Sequence, residues 1–173
     1  MKAIFHAGFV VLACALTSIE IAAAQPANMG CTSENSIRAT QTLHCEGGVT
    51  IVAEIGARYT VQDRSGKGRV DTVELGSKAL LIDVLRRSRG NRFQVITPQA
   101  IAGVRGTKWA VDVAETKTSV FVVNGRVAVR RRTGNHGVTL GSGEGVDVEE
   151  AGPLTVKRWP PARVAALLAR LGQ

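Results

Sequence analysis

Twelve residues beginning at Asp63 carry the donor types of a hard-cation loop. In Asp63-Arg64-Ser65-Gly66-Lys67-Gly68-Arg69-Val70-Asp71-Thr72-Val73-Glu74, the side chains of Asp63, Ser65, Asp71 and Glu74 fall at positions 1, 3, 9 and 12, with Gly68 at position 6. Calcium takes clustered oxygens, and this spacing supplies them. Lys67 stands at position 5, however, where an oxygen ligand belongs, and its charge repels a cation. The flanks also read as strands instead of helices. The expectation is a charged hairpin loop, with calcium as the weaker alternative and no metal or other cofactor required.

Thiol chemistry is the second candidate. Cys14 lies in an apolar leader: Met1-Lys2, a nearly unbroken apolar run from Ala3 to Leu16, then Ala22-Ala23-Ala24 before Gln25-Pro26. A positive start, an apolar stretch and small residues at −3 and −1 are the pattern of a secretory signal peptide. The run is short of the roughly 20 residues that span a bilayer. Cleavage is expected after Ala24, with an uncleaved anchor or a lipidated Cys14 as alternatives. The mature chain then holds Cys31 and Cys45, and an even count in an exported protein reads as a disulfide. Two free thiols or a zinc site using His44 are the other readings; no fourth ligand is evident for zinc.

Catalytic patterns are missing from the sequence. His44 and His136 sit in no Ser or Cys nucleophile motif, and Gly141-x-Gly143-x-Gly145 reads as a turn between strands. An enzyme is therefore not expected. Two basic clusters remain, Arg86, Arg87, Arg89 and Arg92, and Arg126, Arg130, Arg131 and Arg132. The formal net charge is +8, and it stays so when the leader removes Lys2 and Glu20. The clusters read either as a solvated face or as an attraction for an acidic protein partner or an anionic envelope polymer. Nucleic acid is a poor fit, because the chain is expected outside the cytoplasm and has few aromatics to stack bases.

The elements that must position these groups are strands. The chain has 22 Val but only 7 aromatics among its 173 residues, and short β-branched runs recur between turn residues. The expected runs are Thr50–Ile55, Arg58–Gln62, Thr72–Leu75, Ala79–Asp83, Phe93–Thr97, Lys108–Val113, Ser119–Val123, Arg126–Arg131, Gly137–Leu140, Val146–Glu149 and Leu154–Lys157. Alternation is clear where Val127 and Val129 oppose Arg126 and Arg130, and where Trp109, Val111 and Val113 oppose Lys108 and Asp112. Asn124-Gly125 between two such runs signals a hairpin. After Trp159-Pro160-Pro161, the residues Val164, Leu167, Leu168 and Leu171 fall at helical spacing. That amphipathic helix is expected to cover an open end of the β-core, with partner docking as the alternative and membrane-surface binding a weaker one, because its polar face carries only Arg163 and Arg170. The expected fold is all-β, a solenoid-like stack or a sandwich, with a short C-terminal helix. The divisions are 1–24 signal peptide, 25–36 loosely ordered, 37–158 β-domain and 159–173 helix. The mature chain is expected to have no transmembrane helix.

Residues 93–147 carry a specific pattern. Phe93-Gln94-Val95-Ile96-Thr97-Pro98-Gln99-Ala100 leads into Val104-Arg105-Gly106-Thr107-Lys108-Trp109-Ala110-Val111. A Val-rich run then precedes Asn124-Gly125-Arg126-Val127, and Leu140-Gly141-Ser142-Gly143 follows. This resembles the FecR domain, which reads roughly F-x-V-x-T-P-x-A, V-R-G-T-x-F-x-V, V-x-x-G-x-V and L-x-x-G. Thr97, Pro98, Val104, Arg105, Gly106, Thr107, Gly125 and Val127 match, and Trp109 stands where that family usually has Phe. Gly47 to Val84 looks like the domain's weaker first half. The resemblance implies an all-β module outside the cytoplasm that binds or relays a signal. Complete regulators of this type carry an anti-sigma segment and a membrane helix ahead of the domain; this chain reads as a stand-alone periplasmic member. The matched residues look fold-defining: Pro98 ends a strand, Gly103 and Gly106 permit a reversal, and Arg105 is placed to cap carbonyls.

Overall fold

The computed structural model describes residues 30–36, 40–85, 93–104 and 106–173. The expected signal segment lies outside the described residues, as do Arg86, Arg87, Arg89, Arg92 and Arg105. In chain order the strands are β1 (Cys31–Ser36), β2 (Thr40–Cys45), β3 (Val49–Glu54), β4 (Arg58–Gln62), β5 (Thr72–Val84), β6 (Phe93–Ile96) and β7 (Ala100–Val104). They continue with β8 (Lys108–Val113), β9 (Lys117–Asn124), β10 (Val127–Arg131), β11 (Gly137–Leu140), β12 (Glu144–Glu149) and β13 (Lys157–Arg158), and α1 (Pro161–Arg170) closes the chain.

All of these strands join one continuous sheet, folded into two layers like a half-barrel. The fold line is β5. Its first half pairs with β4 and, in parallel, with β6; its second half pairs with β3 and β8. The larger layer reads β1-β2-β3-β5-β8-β9-β12-β13 and the smaller β4-β5-β6-β7-β10-β11. Of the two architectures expected, the layered one is observed. Thr72–Leu75 and Ala79–Asp83, expected as separate strands, are one. The chain changes layer at Gly76-Ser77-Lys78, where Lys78 has φ 65°. That left-handed conformation costs a side-chain-bearing residue about 1–2 kcal/mol. The Lys78 ammonium offsets part of this by donating to the Ile55 carbonyl at 2.6 Å. A bulge takes up the change of register: consecutive Arg58 and Tyr59 of β4 face Ser77 and Leu75, leaving Gly76 as the extra residue of β5.

The core lies between the layers. Ile51, Leu80, Ile82, Trp109, Val111, Val120, Val122, Val146 and Val148 enter it from the larger layer. Val73, Leu75, Phe93, Val95, Ala102, Val127, Val129 and Leu140 enter from the smaller one. Alternate residues of each strand therefore face inward, as the period-two patterning requires. Trp109 is fully buried, and its indole N–H has no partner among the described residues. That is the cost of placing an indole in a site suited to a donor-free ring.

A second apolar cluster lies on the outer face of the larger layer: Ala79, Leu81, Ala110 and Phe121 pack under Trp159, Leu167 and Leu171. The helix thus lies across a sheet face, where the expectation was a cover for an open end of the core. Three further differences have simple causes. Residues 31–36, expected to be loosely ordered, form β1, because a disulfide and a ladder with β2 hold a polar edge strand in place. Gly103 lies inside β7 and makes no reversal; the turn falls at Gly106, with φ 65°. Of Leu154–Lys157, only Lys157 enters a strand, pairing with Gly145.

Candidate functional site

The matched motif residues gather at the two ends of the sandwich. At one end, Thr97 closes the β6–β7 hairpin: its hydroxyl accepts from Ala100 N at 2.8 Å and donates to Ala100 O at 3.1 Å. Buried Thr118 lies 2.8 Å from both the Thr97 hydroxyl and the Gln99 side-chain oxygen, and shares its proton between them. Pro98 follows and carries the chain out of β6, as expected. At the other end, Thr107 precedes β8, and its hydroxyl accepts from Arg126 N at 3.3 Å and donates to Arg126 O at 3.0 Å. Thr107 O accepts from Val84 N at 3.0 Å. Gly125 has φ 106°, and a Cβ there would lie 2.6 Å from Thr107 Oγ1. Two of the crossings between layers, β7 to β8 and β9 to β10, meet at this point. Val104 and Val127 are paired neighbours whose side chains enter the core. The motif residues within the described structure therefore hold strands together.

The Asp63 loop is closed by its own chain. Asp63 accepts from Gly68 N at 2.6 Å and from the Ser65 hydroxyl at 2.9 Å. Asp71 accepts from Arg64 N at 3.0 Å and Ser65 N at 2.8 Å. In both, the slight burial that pushes a carboxyl up is outweighed by these hydrogen bonds, and each is held below the usual carboxylate range. Glu74 pairs with Arg64 of the same loop at 2.8 Å. Among the described residues, no group of three or more His, Cys, Asp or Glu is placed to hold a metal ion. Cys31 and Cys45 lie opposite each other in the β1–β2 ladder and form a disulfide.

Alternation divides the second basic cluster. Arg126 and Arg130 project from the outer face of the smaller layer, while Arg131 turns toward the larger layer. Its guanidinium donates to Glu149 O at 2.8 Å and to Gly152 O. Arg132 lies beyond the strand end, exposed, 3.4 Å from Thr97 O.

The helix supplies a site that the sequence reading treated only as a polar face. Arg163 stacks 3.5 Å above the Trp159 ring, which itself stacks on Phe121 with centroids 5.1 Å apart. The same guanidinium grips Asp147 of β12 at 2.5 and 3.1 Å, and Ser119 donates to that carboxylate at 2.6 Å. Burial pushes the Asp147 carboxyl up, but the Arg163 and Ser119 hydrogen bonds and the Arg163 and Lys117 charges outweigh it. At the far end of the helix, Arg170 binds Asp112 of β8 at 2.8 and 3.0 Å and Glu54 of β3 at 2.6 and 3.2 Å. The hydrogen bonds that Arg170 donates to Asp112, and then those to Glu54, raise its pKa above the usual arginine value. The two arginines thus clasp α1 across the layer from β12 to β3. Nothing local in the sequence signals this, because the carboxylates lie 16 to 116 residues away.

Comparison with known proteins agrees with this arrangement. The family model described as "FecR protein" matches residues 42–128, half of the chain, from β2 into β10. The chain belongs to the FecR protein family. The FecR match includes the β7–β8 and β9–β10 crossings and ends before β11, β12 and α1. Two crystal structures of a candidate anti-sigma factor from Parabacteroides distasonis, at 2.50 and 1.65 Å, share the fold, each with a TM-score of 0.51. They are 20% and 21% identical, and each alignment covers 80% of this chain and 60% of the solved one. The chain therefore spans about 60% of the length of the structures it matches. No curated protein matches the sequence.

Proposed function

We propose that this FecR-family chain is an exported, non-catalytic module that binds a protein partner and relays a signal in the periplasm. The observation that carries the reading is the family match over the β-domain, in which the described motif residues are committed to joining the two layers. Such a scaffold presents rigid outer faces. The disulfide is in keeping with an oxidising compartment, and the leader reads as a secretory signal. The fold shared with a candidate anti-sigma factor favours a regulatory role.

A second reading, adhesion to anionic envelope polymer, is favoured by the exposed Arg126, Arg130 and Arg132. Two experiments test these. The intact mass of protein recovered from the periplasm should begin at Gln25; retention of residues 1–24, or recovery only from the cytoplasm, overturns the localisation. Photocrosslinking in cells from exposed strand positions should trap one stoichiometric protein in a salt-resistant complex. Retention on isolated cell wall that salt abolishes, without a protein adduct, supports the polymer reading instead.

A further inference from the structure

The two outer faces of the sandwich carry opposite rims. On the larger layer, the apolar Ala79, Leu81, Ala110 and Phe121 are bounded by Glu54, Asp112 and Asp147, and α1 covers them with leucines and two arginines. On the smaller layer the register sets out a comparable surface with the charges inverted. Glu74, Ile96, Ile101 and Arg130 occupy one row across β5, β6, β7 and β10. Gly76 and Pro98 lie alongside, between exposed Arg58 and Arg132, and these four residues and Ile96 line a groove of about 540 Å³. A second groove of about 340 Å³ follows over Ile101, Gly103, Ala128, Arg130 and Gly137. Small residues keep this surface shallow enough for another backbone to approach. The Glu74 carboxylate is paired with Arg64, whereas Arg58, Arg130 and Arg132 pair with no carboxylate among the described residues.

We propose that the outer face of the smaller layer is a docking surface for an acidic amphipathic segment of a partner protein. Its apolar side chains would pack on Pro98, Ile101 and Ala128, and its carboxylates would meet Arg58, Arg130 and Arg132. The argument is charge complementarity, with α1 on the opposite face as the internal precedent for an amphipathic segment held by Arg–carboxylate pairs. The proposal rests on the binding-module reading and names the surface that reading requires.

The probe is a synthetic peptide of residues 159–173 carrying Arg163→Glu and Arg170→Glu. The new carboxylates are repelled by Asp147, Asp112 and Glu54, so the peptide is steered off the larger layer. Titrated into isotope-labelled protein and followed by NMR, it should give saturable shifts at Ile96, Ile101, Gly103, Ala128 and Gly137. The Arg58→Glu/Arg130→Glu/Arg132→Glu variant should weaken binding by at least about tenfold. The single Arg130→Glu variant serves if the triple one does not fold. Shifts confined to the α1 face, no saturation, or equal binding by a scrambled peptide or polyglutamate would overturn the proposal. So would a dimer of the free protein that the charge reversals dissociate. If a cellular partner crosslinks elsewhere and ignores the reversals, the surface is wrong but the binding-module reading stands. If the peptide binds as expected and no cellular partner exists, the opposite holds.

Discussion

Gly125 leaves no room for a side chain. A Cβ would meet Thr107 Oγ1 at 2.6 Å and Gly106 O at 3.1 Å, at a φ of 106° that L-residues rarely adopt. Gly125→Ala should therefore destabilise by about 2–4 kcal/mol, combining a left-handed conformation with a clash that the Thr107 bridge cannot relieve. Urea unfolding would measure it, and a loss below about 0.5 kcal/mol would show that the junction tolerates movement. Trp109 makes the reverse case. Trp109→Phe gives up buried volume but removes an orphaned N–H, whose desolvation costs about 1–3 kcal/mol. The two effects should nearly cancel, leaving stability within about 1 kcal/mol of the wild type, whereas Trp109→Ala should lose about 3–5 kcal/mol. Thermal melts of the two variants distinguish these outcomes. The sequence pattern marks both positions, but only the contact with Thr107 in the fold explains why Gly125 has no alternative.

At the scale of elements, strands with one clean face were readable. Arg58–Gln62, Lys108–Val113 and Gly137–Leu140 have the same limits in sequence and structure. Thr40–Cys45 was missed because it is largely polar, and its place follows from pairing with β1 and β3. The break read at Gly76-Ser77-Lys78 is a bend that keeps its ladder. The spacing of Val164, Leu167, Leu168 and Leu171 revealed the helix, but its anchors Glu54, Asp112 and Asp147 could not be read because they come together only through the sheet. The clasp leads to a pH prediction. Asp147 is depressed, so its contribution to stability is present above the unfolded carboxylate pKa of about 3.9 and is lost as pH falls through the lower folded value. Asp147→Asn should lower neutral-pH stability by about 1 kcal/mol, allowing for the partial exposure of the pair. It should also flatten the acid limb of the stability curve below about pH 4. Acid titrations followed by circular dichroism would show this. An unchanged acid limb would mean that the clasp contributes nothing. Arg163→Ala together with Arg170→Ala should strip hydrogen-exchange protection from α1 first, leaving the inner strands protected.

For the molecule as a whole, the disulfide decides whether β1 stays attached. Thr32, Ser33 and Glu34 are exposed, so the strand has little apolar burial beyond Cys31 to hold it. Reduction, or Cys31→Ser with Cys45→Ser, should cost about 3 kcal/mol on the chain-entropy estimate for a loop of this length. It should also raise exchange at the β2 amides while the inter-layer core stays intact. Exchange unchanged after reduction would show that the ladder alone suffices. The disulfide closes one edge of the assembly; β5 governs its centre. Because one backbone serves both layers, neither can slide past the other without straining a covalent chain. A pull exerted on one face passes to the other along this thirteen-residue beam as well as through the loops that join the layers, so the assembly is built to transmit load.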